Sequence, residues 1–373
     1  MPPLVIDVRS TEDSRDLVHR AVQTLAEGGL VAFPTETVYG LAASALDERA
    51  VLRMLKTKCR ANNKPLTLAI KSADEALDYA PDLCPLAQRL ARRCWPGPVT
   101  LVVDDSHPES LVRRLPKLVQ KAVSPQNAIG LRVPGHSVIL DVMRMLAGPL
   151  ALSSANRAGC PPAITAEDVL QNLDDELDLI LDDGRCRFGQ PSSVVRVQGK
   201  RFEVLRQGVV PQRTLERLSN LMLLFVCTGN TCRSPMAEVI CRDLLAKRLQ
   251  CKVEDLEDRG AVVMSAGVAA LTGGHASHEA ILAVEHLGLD LRKHETQPLS
   301  ESLVRHADMI FAMTQSHRNE ILLQWPSAAG RTRLLSADGL DISDPIGGPL
   351  ERYEHCMEQI YSELAKLIQE LEL

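Results

Sequence analysis

Residues 221–238 read LMLLFVCTGNTCRSPMAE: an apolar run from Leu221 to Val226, a tight polar loop, then a helix-like segment. The run has the length and composition of a buried strand. Gly229 and Asn230 tolerate positive φ in the loop. Pro235 suits the first turn of a following helix, where its missing N–H costs nothing. Backbone N–H groups converging in such a loop, ahead of a helix N-terminus, cradle a phosphate-sized dianion. Cys227 stands at the base of this cradle as a thiolate nucleophile. Arg233 supplies a planar fork for phosphoryl oxygens. Ser234 places a hydroxyl near the sulfur, with Asn230 and Thr231 as further loop support. A chain with ten cysteines yields roughly one such Cys-to-Arg spacing by accident, so the strand, glycine and proline around it carry the weight. The segment predicts cleavage of a phosphate ester or phosphoramidate through a cysteinyl-phosphate.

Outward from the loop, strand and helix patterns alternate. A helix is expected over 236–249 with Ala237, Ile240, Leu244 and Leu245 inward. Strands are expected over 262–266, 309–313 and 333–335, and another helix over 278–287. The chain closes on an amphipathic helix with Leu350, Tyr353, Met357, Ile360, Leu364, Leu367 and Leu371 at helical spacing. This alternation predicts a doubly wound parallel sheet with the loop at the carboxyl end of its first strand. His275, His278, His286 and His294 fit no standard ligand spacing and read as surface or capping residues, so no metal centre is expected.

From about Leu221 onward the chain resembles the low-molecular-weight protein tyrosine phosphatases, a flavodoxin-like fold, and especially their protein-arginine-phosphatase branch. The resemblance includes Ser265-Ala266-Gly267, Met313-Thr314 with His317, and Asp344-Pro345-Ile346-Gly347-Gly348. It implies that Asp344 is the general acid, and it implies no cofactor. Thr231 is the residue of the arginine-directed branch, where tyrosine-directed relatives carry isoleucine. Ile346 departs from that branch, which usually has phenylalanine there. Phosphoarginine on a protein is therefore the favoured substrate, with phosphotyrosine the alternative. Cys232, inside the same loop, is the expected disulfide partner of Cys227 under oxidation. An arsenate reductase needs further resolving cysteines, and after Cys251 only Cys356 remains.

At 373 residues the chain has room for two domains. A formal charge of −6 with 45% hydrophobic residues gives no basic excess for tracking nucleic acid, and no direct nucleic-acid binding is expected. No stretch of about 18 apolar residues occurs, Met-Pro-Pro-Leu does not read as a signal peptide, and no CxxC pair is present. A reducing cytoplasm is expected, without membrane contact. Composition shifts around Val210 to Asn220 divide the chain into domains 1–212 and 220–373.

In the first domain a helix is expected over Asp16–Glu27, ended by Gly28-Gly29 and followed by a strand through Phe33. Then come Pro34-Thr35-Glu36-Thr37, a basic stretch with Lys56, Lys58, Arg60 and Lys64, Trp95-Pro96-Gly97-Pro98, Gly130-Leu131-Arg132, Ser153-Ser154-Ala155-Asn156 and Ser192-Ser193. A basic cluster is most often a solvated face, and Trp95 reads as core. Cations near strand ends can nevertheless hold a triphosphate.

In order and spacing these segments resemble the threonylcarbamoyl-AMP synthase (YrdC/Sua5-like) family over about Leu4 to Val210. The resemblance implies a twisted α/β sheet around a positively charged cavity. It implies a nucleotidyltransferase that converts L-threonine, bicarbonate and ATP to threonylcarbamoyl-AMP and pyrophosphate. The product serves t6A modification of adenosine 37 in tRNA, so other t6A-modification proteins are implied downstream. By the same resemblance Thr35 and Ser192 contact threonine. Arg60, Lys64, Ser154 and Arg206 contact ATP, Lys58 and Arg132 complete the basic lining, and Asn156 shapes it. Mg²⁺ would bridge the phosphates. The stretch from Lys117 to Asn127 departs from the family, and the phosphatase-like half replaces the C-terminal domain of its longer members. The sequence thus predicts a bifunctional enzyme, the alternative being a first half kept only as a nucleotide- or RNA-binding module.

Overall fold

The structure, a computed structural model, describes residues 2–10, 14–58, 65–173 and 176–371. The chain divides into two compact units, Met1–Leu215 and Glu216–Leu373.

The first unit is built on ten strands: β1 (Leu4–Asp7), β2 (Val31–Phe33), β3 (Gly40–Ser44), β4 (Thr67–Ala69), β5 (Val99–Asp104), β6 (Ala128–Arg132), β7 (Leu150–Ser154), β8 (Leu179–Asp182), β9 (Ser193–Gln198) and β10 (Arg201–Arg206). They form one mixed sheet in the order β1-β8-β2-β3-β7-β4-β6-β5-β9-β10. The inner strands are covered on both faces, as in β2, where all three residues are buried, whereas the edge strands β1 and β10 are largely exposed. The helix Ser14–Ala26 lays Leu17, Val18, Ala21 and Leu25 onto this sheet. Gly28, in the left-handed region at φ 84°, follows it, as the paired glycines predict. Asp47 caps the helix Glu48–Thr57 by accepting from the Arg49 and Ala50 N–H groups. That helix stops at Thr57, which puts Lys58 at its C-cap. Trp95 is buried, as read from the sequence, and its indole donates to Val99 O at 2.7 Å.

The second unit has four strands, β11 (Leu221–Cys227), β12 (Ala261–Gly267), β13 (Met309–Ala312) and β14 (Thr332–Leu334), all parallel in the order β12-β11-β13-β14. This is the expected doubly wound arrangement. On one face Leu223 and Phe225 meet the helices Arg233–Leu249, His278–Glu285 and Leu350–Glu370. On the other, Leu224 and Val226 meet Val304, Ile321 and Ala328. Phe225 stacks on Phe311 with ring centroids 5.3 Å apart. The closing helix buries Tyr353, Met357, Ile360, Leu364 and Leu367. The helix after the loop starts at Arg233, three residues earlier than the hydrophobic pattern suggests, which places Arg233 and Ser234 on its first turn. No helix among the described residues is long and apolar enough to cross a membrane.

Candidate active sites

β11 is central in its sheet, so its carboxyl end opens at the strand-order reversal between β12 and β13, where ligands gather in such folds. Cys227 ends the strand and is buried. Its Sγ lies 3.0 Å from Ser234 Oγ, seven residues on and in the first turn of the following helix. Asn230 takes φ 56°, the left-handed conformation read for this loop, and is fully buried. Its Nδ2 donates to Ser234 Oγ and to Ser265 Oγ, each at 2.9 Å. Its Oδ1 accepts from Gln297 N at 2.9 Å. Ser265 in turn donates to Glu238 Oε2 at 2.6 Å, and burial pushes the Glu238 carboxyl up. A continuous string of hydrogen bonds thus runs from the sulfur to Glu238. Arg233 is buried, and its Nη2 meets Asp344 Oδ2 at 2.6 Å. Asp344 is otherwise exposed, its backbone oxygen accepting from Arg352. Sequence reading joins Arg233 to the phosphate and Asp344 to the leaving group; the fold pairs the two with each other.

Cys232 is also buried, with Thr231 Oγ1 at 3.4 Å, Ser277 Oγ at 3.3 Å and the Tyr353 hydroxyl at 3.8 Å. Cys356, buried with its Sγ donating to Ser343 O, is pushed up to about 12 by burial. Gly267 explains why a glycine ends the Ser-Ala-Gly run. A Cβ there would stand 2.5 Å from Thr228 O and 2.8 Å from Asn230 N, inside the loop. Glu238 carries no signal in the sequence. His294, read as a surface or capping residue, is partly buried, and its Nε2 sits 2.9 Å from Asn230 O. His317 bonds Thr228 Oγ1 at 2.8 Å.

In the first unit, Thr35 Oγ1 is buried and held by Val38 O at 2.6 Å and Thr37 Oγ1 at 2.9 Å. Thr37 Oγ1 accepts from Arg132 Nη2 at 2.9 Å, and the same nitrogen meets Glu36 Oε1 at 2.7 Å. Glu36 Oε2 accepts from Gly135 N. Ser192 Oγ lies 3.0 Å from Thr100 Oγ1, and Arg206 holds Ser192 through its backbone oxygen and its hydroxyl. Although Arg206 reaches solvent, partial desolvation and then the nearby Arg132 cation draw it below the usual arginine range. Among the described residues Glu36 ion-pairs with Arg132 and no carboxylate ion-pairs with Arg206, an imbalance that favours an anion near Arg206. Lys58 is buried, with Nζ on Ser154 O at 2.5 Å and on Asn156 O. Asn156 Nδ2 donates to Arg157 O and Cys160 O. Ser154 pairs with Gly40 across β7 and β3, and a Cβ on Gly40 would lie 3.6 Å from Thr35 Cγ2, so this group adjoins Thr35. Arg60 and Lys64 lie outside the described residues. Glu36, Thr37 and Thr100 complete the network and were not singled out from the sequence. Among the described residues no group of three His, Cys, Asp or Glu side chains is placed to hold a metal ion.

Comparison with known proteins matches these two units separately. Residues 23–208 match the Sua5/YciO/YrdC family model, described as telomere recombination, and residues 222–373 match that of the low molecular weight phosphotyrosine protein phosphatases. The threonylcarbamoyl-AMP synthase of Pyrococcus abyssi is 34% identical over 215 residues, covering 58% of this chain and 60% of its own length. That of Mus musculus is 32% identical over 224 residues, covering 58% of this chain and 75% of its own. A solved structure of the YwlE arginine phosphatase from Geobacillus stearothermophilus is 34% identical and covers 40% of this chain and 93% of that one, with a TM-score of 0.35. The chain belongs to the threonylcarbamoyl-AMP synthase family in its first half and to the low-molecular-weight phosphotyrosine protein phosphatase family in its second.

Proposed function

We propose that the chain is a bifunctional enzyme, with an L-threonylcarbamoyladenylate synthase in residues 1–212 and a cysteine-dependent phosphatase acting on protein phosphoarginine in residues 220–373. In the synthase, the threonine amine and bicarbonate form a carbamate with loss of water. A carbamate oxygen then attacks the α-phosphorus of ATP, and pyrophosphate departs. Such a reaction needs positioning and charge neutralisation rather than an enzyme nucleophile. The supporting observation is the Arg132–Arg206 pair of cations beside Thr35 and Ser192. In this reading Thr35 and Ser192 hold threonine. Lys58, Arg60, Lys64, Arg132, Ser154, Asn156 and Arg206 hold ATP, and Mg²⁺ enters on the triphosphate. Pyrophosphate release that requires threonine, bicarbonate and ATP together tests it; release without threonine overturns it.

For the phosphatase, the supporting observation is the Cys227–Ser234 contact beside the Arg233–Asp344 pair. A phosphoryl dianion competes with Asp344 for the Arg233 fork. Sγ attacks phosphorus, the phosphorus–nitrogen bond breaks, and the departing guanidine takes the Asp344 proton. Asp344 then deprotonates the water that cleaves the thiophosphate, releasing phosphate and restoring the thiolate. Phosphoarginine is favoured because Thr231 offers a hydroxyl at the loop and Ile346, exposed after Asp344-Pro345, provides no aromatic wall for a phenyl ring. Turnover of phosphoarginine and phosphotyrosine peptides by the wild type and by Thr231→Ile decides the substrate. A wild type that prefers phosphotyrosine overturns the choice.

A further inference from the structure

Thr228, His317 and Thr314 form a polar string that the proposed phosphatase chemistry leaves unused. His317 lies on the first turn of the helix Gln315–Gln324 and is buried. Its Nδ1 is 2.8 Å from Thr314 Oγ1, the helix cap, and its Nε2 is 2.8 Å from Thr228 Oγ1. Thr228 immediately follows Cys227 and is exposed at the mouth of the loop. Burial, and then the nearby Arg233 cation, hold the ring down to about 4 against the opposing pull of Asp344 and Asp341. Near neutral pH one ring nitrogen therefore donates and the other accepts. Thr314 Oγ1 already accepts from the His317 backbone N–H at 3.3 Å and has a second lone pair for an Nδ1–H. With the proton on Nδ1, Nε2 accepts the Thr228 hydroxyl proton. This turns the lone pairs of Thr228 away from the ring, toward the mouth. A guanidine leaving group brings N–H donors to that mouth, and the ring edge of a phenol brings none.

We propose that Thr228, oriented by His317, is a specificity-determining acceptor that selects a guanidine leaving group over a phenol. His317 is a positioning residue that acts through Thr228. The inference rests on the phosphatase reading above and adds to it residues outside the nucleophile, the clamp and the acid.

The test compares kcat/KM for phosphoarginine and phosphotyrosine in peptides of one sequence, using the full chain. Thr228→Val and His317→Phe should each lower the phosphoarginine-to-phosphotyrosine ratio about tenfold, the loss expected for one hydrogen bond to a charged group. Thr228→Ser, which keeps the hydroxyl, should restore the ratio. The double variant should fall no further than either single one, because both remove the same contact. Ring ¹⁵N shifts should show the proton on Nδ1. An unchanged ratio in Thr228→Val, or a ring protonated on Nε2, overturns the inference even if His317→Phe does not fold. A wild type without preference for phosphoarginine is visible before any substitution, and it removes the substrate reading and this inference together.

Discussion

Replacing Cys227 by serine separates the two proposed chemistries at a single atom. A serine hydroxyl stays protonated in a cradle suited to a thiolate, so phosphatase turnover should vanish. Pyrophosphate release should stay at the wild-type rate, because none of the residues proposed for the synthase lies in the second unit. Phosphatase turnover near wild type in Cys227→Ser would remove the nucleophile assignment. Oxidation addresses the neighbouring sulfur. Cys227 and Cys232 border one loop, and both are free thiols. Mild peroxide should convert Cys227 to a sulfenic acid, which Cys232 then attacks to give a disulfide and water. Mass spectrometry showing only sulfinic or sulfonic Cys227 would count against Cys232 as the partner. Thiol reductant should recover the activity.

At the scale of an element, the turn after β11 depends on β12. The loop's Thr228 oxygen and Asn230 nitrogen pass so close to Gly267 that no side chain fits there. Gly267→Ala should therefore displace the loop, lowering phosphatase kcat/KM by about a hundredfold, as small misplacements of reacting groups do. Overpacking there should also cost about 1–3 kcal/mol in chemical unfolding of the second unit. A variant with unaltered kinetics would show that the loop tolerates the shift. Sequence reading reached the strand, the loop and the positive φ near Asn230, because these are local consequences of Gly, Asn and Pro chemistry. It placed the helix start three residues late, at Met236, because Cys232 at the cap is not a residue type that signals a helix start. It missed Glu238, read His294 as a surface or capping residue, and quoted His317 only as part of a resemblance. Their partners, Ser265, Asn230 and Thr228, come from other segments, and contacts across such separations leave no periodic trace. The same holds in the first unit for Glu36, which its Arg132 partner finds only when β6 is in register with the rest of the sheet.

At the scale of the molecule, two units with separate sheets and separate cores predict separable activities. Expressed alone, residues 1–219 should retain threonine-dependent pyrophosphate release and residues 220–373 should retain phosphatase turnover. The cut removes Arg217 from Glu257, an exposed ion pair of little consequence for stability. Loss of either activity in its isolated half, with the half still folded by circular dichroism, would show that one unit needs the other. The two sheets differ in another respect. In the second, β11 is made first and ends up flanked by β12 and β13, so each later strand adds to a template already present. In the first, Leu4 pairs with Leu179 and Val31 also pairs with Leu179. A chain emerging from the ribosome therefore carries β1 and one edge of β2 without their partner until β8 appears. Bare strand edges are templates for pairing with other chains, and delayed long-range pairing lengthens the exposure. Translational pauses ahead of residue 179 are where aggregation of the nascent chain should concentrate.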